Sequence, residues 1–459
     1  MSNHEKHSSS FRDPSGYVFF EEDVLKRCVL PFYFNQYRAL KETSFFQKAI
    51  ANQLLISHEE IEVSQEEIIL KPETIPFITF PYEWCFNQYK EAALLTLKLH
   101  KFALEHGFIL KDASAYNVAF YKGKAIFIDT LSFDFYKEDE PWRAYKQFLM
   151  HFLAPLLLAK YYGSSQLRLM SNFIDGIPLP VIASMLPKKT KLNPFLYSNI
   201  HLPAKFETKH SEDYNGKIKQ GKLSKTGQLK IVDSLYGFIK DLKLNEKSEW
   251  GNYYTKTNYS NNAFLEKETL LKGWVKSLNP RTLIDVGGND GTFVRSLDIE
   301  LEHALICDID NNAVDSNFVQ MKKMKQINIL PFVLDVLNPS PAIGVNNEER
   351  KSFIERITKF QPDVTFALAL IHHMTLSGNV PFEMSAKFFS KFSKNLIIEF
   401  PDREDSWVQR LLNTKGEFKS HFDFYTVENF EKGYSDYFTV NEKIKIKDSY
   451  RILYLLKTK

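Results

Sequence analysis

From residue 282 onward the apolar positions fall into short runs separated by stretches with helical spacing, and most of the runs end on an acidic residue. Thr282, Leu283 and Ile284 lead to Asp285, and Phe293, Val294 and Leu297 then share one helical face. Ala304 to Cys307 ends on Asp308, and Phe332 to Leu334 ends on Asp335. A charged helix is expected from about Glu348 to Phe360, followed by strands at Val364 to Leu370 and Asn395 to Phe400. Two β-rich runs, Phe438 to Ile446 and Tyr450 to Leu456, flank the turn-forming pair Asp448 and Ser449. Strand alternating with helix predicts an α/β domain with a parallel, doubly wound sheet that closes in an antiparallel hairpin.

The first part of the chain is patterned differently and reads as α+β. Ala92, Leu95, Leu99 and Phe102 mark one face of a helix over about Asn87 to His106. The most apolar stretch, Phe148 to Ala159, is interrupted by His151 and Pro155 and is shorter than the roughly 20 residues that span a bilayer, so it reads as a buried helix. Between about Ile200 and Glu249 lysines and glycines crowd together (Lys217, Lys219, Gly221, Lys222, Lys225, Gly227, Lys230), as in a linker. The expected layout is a disordered polar tail over 1–15, an α+β domain over 16–200, a linker over 201–249 and the α/β domain over 250–459.

Composition narrows the function classes. With 59 basic and 56 acidic side chains in 459 residues, the net charge of +3 gives no reason to expect a nucleic-acid or membrane surface. Cys28, Cys85 and Cys307 form no C-x-x-C pair, so neither a disulfide framework nor a zinc site is indicated. The first fifteen residues lack the apolar core of a signal peptide, and a cytoplasmic location is expected.

The chemistry lies at the first strand of the α/β domain, Leu283-Ile-Asp-Val-Gly-Gly-Asn-Asp-Gly-Thr-Phe293. Gly287, Gly288 and Gly291 let the backbone turn tightly against a ligand before the helix begins. The dinucleotide pattern G-x-G-x-x-G fails, because Asn289 and Thr292 stand at its second and third glycines. The frame acidic-x-Gly-x-Asn-x-Gly instead resembles the first motif of class I S-adenosylmethionine-dependent methyltransferases, over about 250–459. That resemblance implies a Rossmann-like sheet and S-adenosylmethionine as cofactor. Ligands of open α/β sheets bind at the carboxyl ends of the strands. There Asp308, 23 residues after Asp285, is placed to accept from both ribose hydroxyls, and Asp335 from the adenine amino group. Asp285 complements the charged amino-acid end, and Gly287, Asn289 and Gly291 line the turn. Each carboxylate also has a plainer role available as a helix cap. Tyr259, in an aromatic segment with Trp250 and Tyr254, is a further cofactor or acceptor contact.

Methyl transfer is an in-line displacement, and a base assists where the acceptor is a hydroxyl. His372 and His373, after the fourth strand, and Glu399, at the end of the fifth, are the candidates. Packing of either imidazole is the alternative, and no third ligand beside the histidine pair suggests a metal.

In the first domain Lys111-Asp112-Ala-Ser-Ala-Tyr-Asn117 has the D-x-x-x-x-N spacing of a protein-kinase catalytic loop, and Ile126-Phe-Ile-Asp129 follows. Resemblance to the kinase-like fold implies that Asp112 positions a hydroxyl while Asn117 and Asp129 bind magnesium with ATP. The chain departs from that pattern, since no glycine-rich loop precedes it and Asp-Thr-Leu replaces Asp-Phe-Gly. Together with Pro141-Trp142 to Ala154-Pro155 and the Asn-Asp-Gly-Thr motif, these residues resemble the nodulation host-specificity methyltransferase-like proteins. The expected function is methyl transfer from S-adenosylmethionine to an unidentified small molecule, glycan or protein. A bifunctional kinase-like methyltransferase acting on a saccharide end, and a non-catalytic nucleotide-binding adapter, are the alternatives.

Overall fold

The computed structural model describes residues 5–210, 222–244 and 260–459. It divides into two compact units, Met1–Glu246 with Ala342–Lys351, and Lys247–Pro341 with Ser352–Lys459.

The first unit opens with an antiparallel sheet of β1 (Gly16–Glu21), β2 (Val24–Val29), β3 (His58–Val63) and β4 (Ile68–Pro72), in the order β1-β2-β4-β3. The β1–β2 turn is made by Glu22 and Asp23, both at positive φ, so an acidic tip stands at this hairpin. A helix over Phe86–Glu105 buries Ala92, Leu95 and Leu99 as its spacing predicts. Two small antiparallel pairs follow, β5 (Phe108–Leu110) with β8 (Phe133–Phe135), and β6 (Val118–Tyr121) with β7 (Lys124–Phe127). The apolar stretch around Pro155 is helical and buried, with a wide turn over Leu149–Leu153. Proline cannot donate to the carbonyl four residues back, and the Tyr89 hydroxyl donates to that His151 carbonyl at 2.6 Å instead.

Three boundaries differ from the sequence reading. Residues 5–15 are ordered: Lys6 bridges to Phe19, the Ser8–Ser10 turn is capped by His7, and Ser15 is fully buried. Polar composition there reports solubility, whereas backbone hydrogen bonds such as His7 N–H to the Val18 carbonyl dock the segment. Within 201–249, Lys225–Asp241 is a helix whose Val232, Leu235 and Ile239 are buried, and it packs against Phe86–Glu105. Lys230 and Lys240 are exposed on the same helix, and such surface lysines make the stretch read as a linker. The helix expected from Glu348 starts only at Phe353, with Ser352 and Glu355 forming a capping box. The preceding residues belong to the first unit, where Glu349 pairs with Arg12 and Arg350 lies 4.7 Å from the Tyr116 ring centroid.

The second unit is built on β9 (Thr282–Val286), β10 (His303–Asp308), β11 (Ile329–Val333), β12 (Val364–Ala367), β13 (Asn395–Pro401), β14 (Phe438–Lys445) and β15 (Arg451–Thr458). Their order is β11-β10-β9-β12-β13-β15-β14, parallel through β13 and antiparallel for the last pair. Central strands buried on both faces explain the continuous apolar runs Leu283-Ile284 and Leu396-Ile397-Ile398. The chain winds outward from β9 to β11 and then returns to β12, so a crevice opens at the carboxyl ends of β9 and β12. Among the described residues no helix is long and apolar enough to cross a membrane.

Candidate functional site

A cavity occupies that crevice, lined by Asp285, Gly287, Gly288, Asn289, Asp308 and Asp335, with Lys267, Phe293, Ile309 and the Leu334–Leu337 segment. Leu368, Ala369, Leu370, His373, Met374 and Ser377 close its other side. The turn after β9 exists because its glycines lack side chains. A Cβ on Gly288 would lie 2.7 Å from the Asp285 carboxyl carbon, and Gly287 holds φ +79°. The Asn289 N–H donates to Asp308 Oδ2 at 2.9 Å, and the Asp310 N–H donates to Oδ1 at 2.9 Å. These bonds aim the Asp308 carboxylate along the cavity edge. Asp335 anchors its own turn, with Oδ1 accepting from the Leu337 N–H at 3.0 Å.

Asp285 is the electrostatic centre. It is 1% exposed, and its Oδ1 has no hydrogen-bond partner among the described residues. Burial raises its pKa to about 7; Lys267 opposes the rise, while Asp308 and Asp290 add to it. Burial likewise lifts Asp308 to about 6 against the backbone N–H bonds of Asp310, Asn289 and Ile309. A buried carboxyl with an unanswered oxygen, beside a turn that excludes side chains, fits a ligand bearing a cation. The donor set thus fits S-adenosylmethionine.

Not every sequence candidate reaches the cavity. Gly291 does not line it; its φ of +81° starts the Thr292–Ser296 helix, and a Cβ there would strike Ile306 and Arg295. His372 is 2% exposed and also lies off the cavity, whereas its neighbour His373 lines it. Burial depresses the pKa of His373, with Arg451 adding to the effect, so the imidazole is neutral at neutral pH. Glu399 is fully buried and is no acceptor-side base. Its Oε2 accepts from Lys267 Nζ at 2.6 Å and its Oε1 from Arg451 Nη1 at 3.3 Å, and Arg451 continues to Asp405 at 2.8 Å. Tyr259, with Trp250 and Tyr254, lies outside the described residues. Ala369 holds φ +50°, a strained conformation for a residue with a Cβ, in the cavity wall.

Lys267 escaped the sequence reading. It lies in the helix Asn261–Leu278, in register with Ala263, Leu271, Trp274 and Val275. A lysine on an apolar stripe is the signal that was there to be read.

In the first unit Asp112, Asn117 and Asp129 do come together, but with protein partners. Asp112 accepts from the Ser114 N–H at 2.9 Å and from Gln147 Nε2 at 2.7 Å. Asn117 donates to Ser132 Oγ at 3.4 Å. Asp129 takes an ion pair with Arg27, the Ser132 hydroxyl, and the Leu131 N–H at 3.1 Å. Among the described residues no cluster of three or more His, Cys, Asp or Glu is placed to hold a metal. A magnesium ion at Asp129 would have to displace the guanidinium of Arg27.

The strand order and the cavity at its crevice are those of the class I S-adenosylmethionine-dependent methyltransferase fold. Over 97% of its length, and 95% of the relative's, the chain is 30% identical to the nodulation protein NoeA of Rhizobium meliloti strain 1021, and it belongs to the family of that protein. No family model matches the sequence. Among solved structures it is similar to the N-methyltransferase NodS of Bradyrhizobium japonicum WM9 (13% identity, 43% of this chain and 98% of that one, TM-score 0.31). It is also similar to the magnesium protoporphyrin IX methyltransferase of Synechocystis PCC 6803 with bound S-adenosylhomocysteine (13% identity, 46% and 93%, TM-score 0.30).

Proposed function

We propose that the second unit holds S-adenosylmethionine with Asp308 on the ribose hydroxyls, Asp335 on the adenine amino group and Asp285 on the amino-acid ammonium. The Gly287–Gly288–Asn289 backbone lies along the donor, which supplies a methyl group on an electron-poor sulfur. The single observation that carries this reading is the buried, unanswered Asp285 oxygen in the cavity beside the glycine turn.

His373 faces the same cavity as a neutral imidazole and takes the proton from a hydroxyl acceptor as the methyl group moves. Alignment of the two reactants by the cavity walls does the larger part of the work. The acceptor is a small molecule, glycan or protein; the relative's name links that protein to nodulation and specifies no acceptor. The three cysteines are buried thiols outside any disulfide, which supports a reducing compartment, and we place the enzyme in the cytoplasm.

Calorimetry with S-adenosylhomocysteine tests the cofactor site. Asp308→Ala removes two charge-assisted hydrogen bonds and is expected to weaken binding by at least about 10-fold; unchanged affinity removes Asp308 from the site. Transfer of labelled methyl groups to any component of a cell extract tests turnover against a non-catalytic adapter. Once an acceptor is in hand, His373→Ala is expected to lower kcat by about 10²- to 10⁴-fold if it is the base.

A further inference from the structure

A buried charge network reaches the cavity through Lys267. Two buried cations, Lys267 and Arg451, face two buried carboxylates, Glu399 and Asp405, which they satisfy through the bonds described above. Asp285 lines the cavity itself, 1% exposed and with no hydrogen-bond partner for its Oδ1 among the described residues. The amino-acid end of the donor carries an ammonium and a carboxylate side by side, and both must leave water to enter a buried site. Leaving either without a partner costs more than the contact is worth.

We propose that Lys267 binds the carboxylate of the donor's amino-acid end, opposite Asp285 on the ammonium, with Glu399 and Arg451 as its positioning residues. Lys267 lines the cavity with Asp285, and its Nζ is 4.3 Å from the centroid of the Phe293 ring, another wall residue. An ammonium carries its donors in a tetrahedral array, so it can serve Glu399 and a ligand oxygen together. Glu399 thus has a function other than the base expected from its strand-end position: it holds the lysine at the cavity wall at 2.6 Å and is itself held by Arg451. A purely structural lysine is the competing explanation. A buried ion pair adds little to stability over apolar residues of the same size, so stability alone does not account for a lysine on this stripe.

This inference rests on the proposed cofactor site, and the experiment separates the two. S-adenosylhomocysteine has the amino-acid end and methylthioadenosine lacks it; both are titrated calorimetrically into the full-length protein. The variants are Lys267→Met and the charge-neutral double variant Lys267→Met with Glu399→Gln, which leaves no uncompensated carboxylate if the single variant fails to fold. Expected is a loss of about 10- to 100-fold for S-adenosylhomocysteine with methylthioadenosine within about twofold of the parent protein. Equal losses for both ligands, or no loss for either, in a folded variant overturn the assignment of Lys267 and leave the cofactor site standing. A parent protein that binds neither ligand overturns the cofactor site and this inference with it.

Discussion

Asp285 carries a pH dependence whose sign follows from its burial. Its folded-state pKa of about 7 lies above the ordinary value of 3.8 that it regains on unfolding. The folded chain therefore keeps a proton that the unfolded chain releases, and this contribution to stability is complete below about pH 4 and lost as pH rises to about 7. Denaturant titrations across that window are expected to show the ligand-free protein losing stability, and Asp285→Asn is expected to flatten the slope. At the proposed cofactor site ligand binding is expected to run the other way, because a ligand ammonium selects the ionised carboxylate. On that reading, affinity for S-adenosylhomocysteine should rise as pH passes about 7 and the Asp285 carboxyl ionises. The charged groups acting on Asp285 are Lys267, Asp308 and Asp290, so Lys267→Met should move this rise to higher pH.

Among the elements, the Lys225–Asp241 helix shows how surface charge hides a packed face. Its buried Leu235 makes the test: Leu235→Ala should cost about 2–5 kcal/mol in chemical denaturation if the helix is integral to the first unit, and almost nothing if it is a tether. The pair Arg27 on β2 and Asp129 after β7 makes a second test. Breaking it with Arg27→Met strands a carboxylate that is only 15% exposed and should cost about 3 kcal/mol. Adding Asp129→Asn should recover most of that loss, as a double-mutant cycle would register. The strand-end and glycine-turn pattern made Asp308, Asp335 and the β9 turn readable from spacing, since their placement depends on a few neighbouring residues. Glu399 was misread because any residue at the end of β13 has the same local pattern, whatever lies beside it. Its partner Arg451 arrives on β15, the antiparallel neighbour, and Lys267 on a helix 132 residues earlier.

For the whole molecule, the first unit shares a spacing with phosphotransferases, but Arg27 already pairs with its Asp129. Magnesium with ATP is therefore expected to leave the melting temperature unchanged, whereas S-adenosylhomocysteine at 100 times its Kd should stabilise the chain by about 2.7 kcal/mol. A magnesium-dependent shift abolished by Asp129→Ala would restore the bifunctional alternative. The sequence by itself determined the alternation of strand and helix, the glycine turn after β9 and the closing hairpin, because backbone geometry and hydrophobic period are local properties. Only the tertiary structure decided which acidic residues line the cavity and which face a guanidinium or an ammonium. Ionisation in a buried site depends on distance and dielectric, and both are set by residues that chain order places far away.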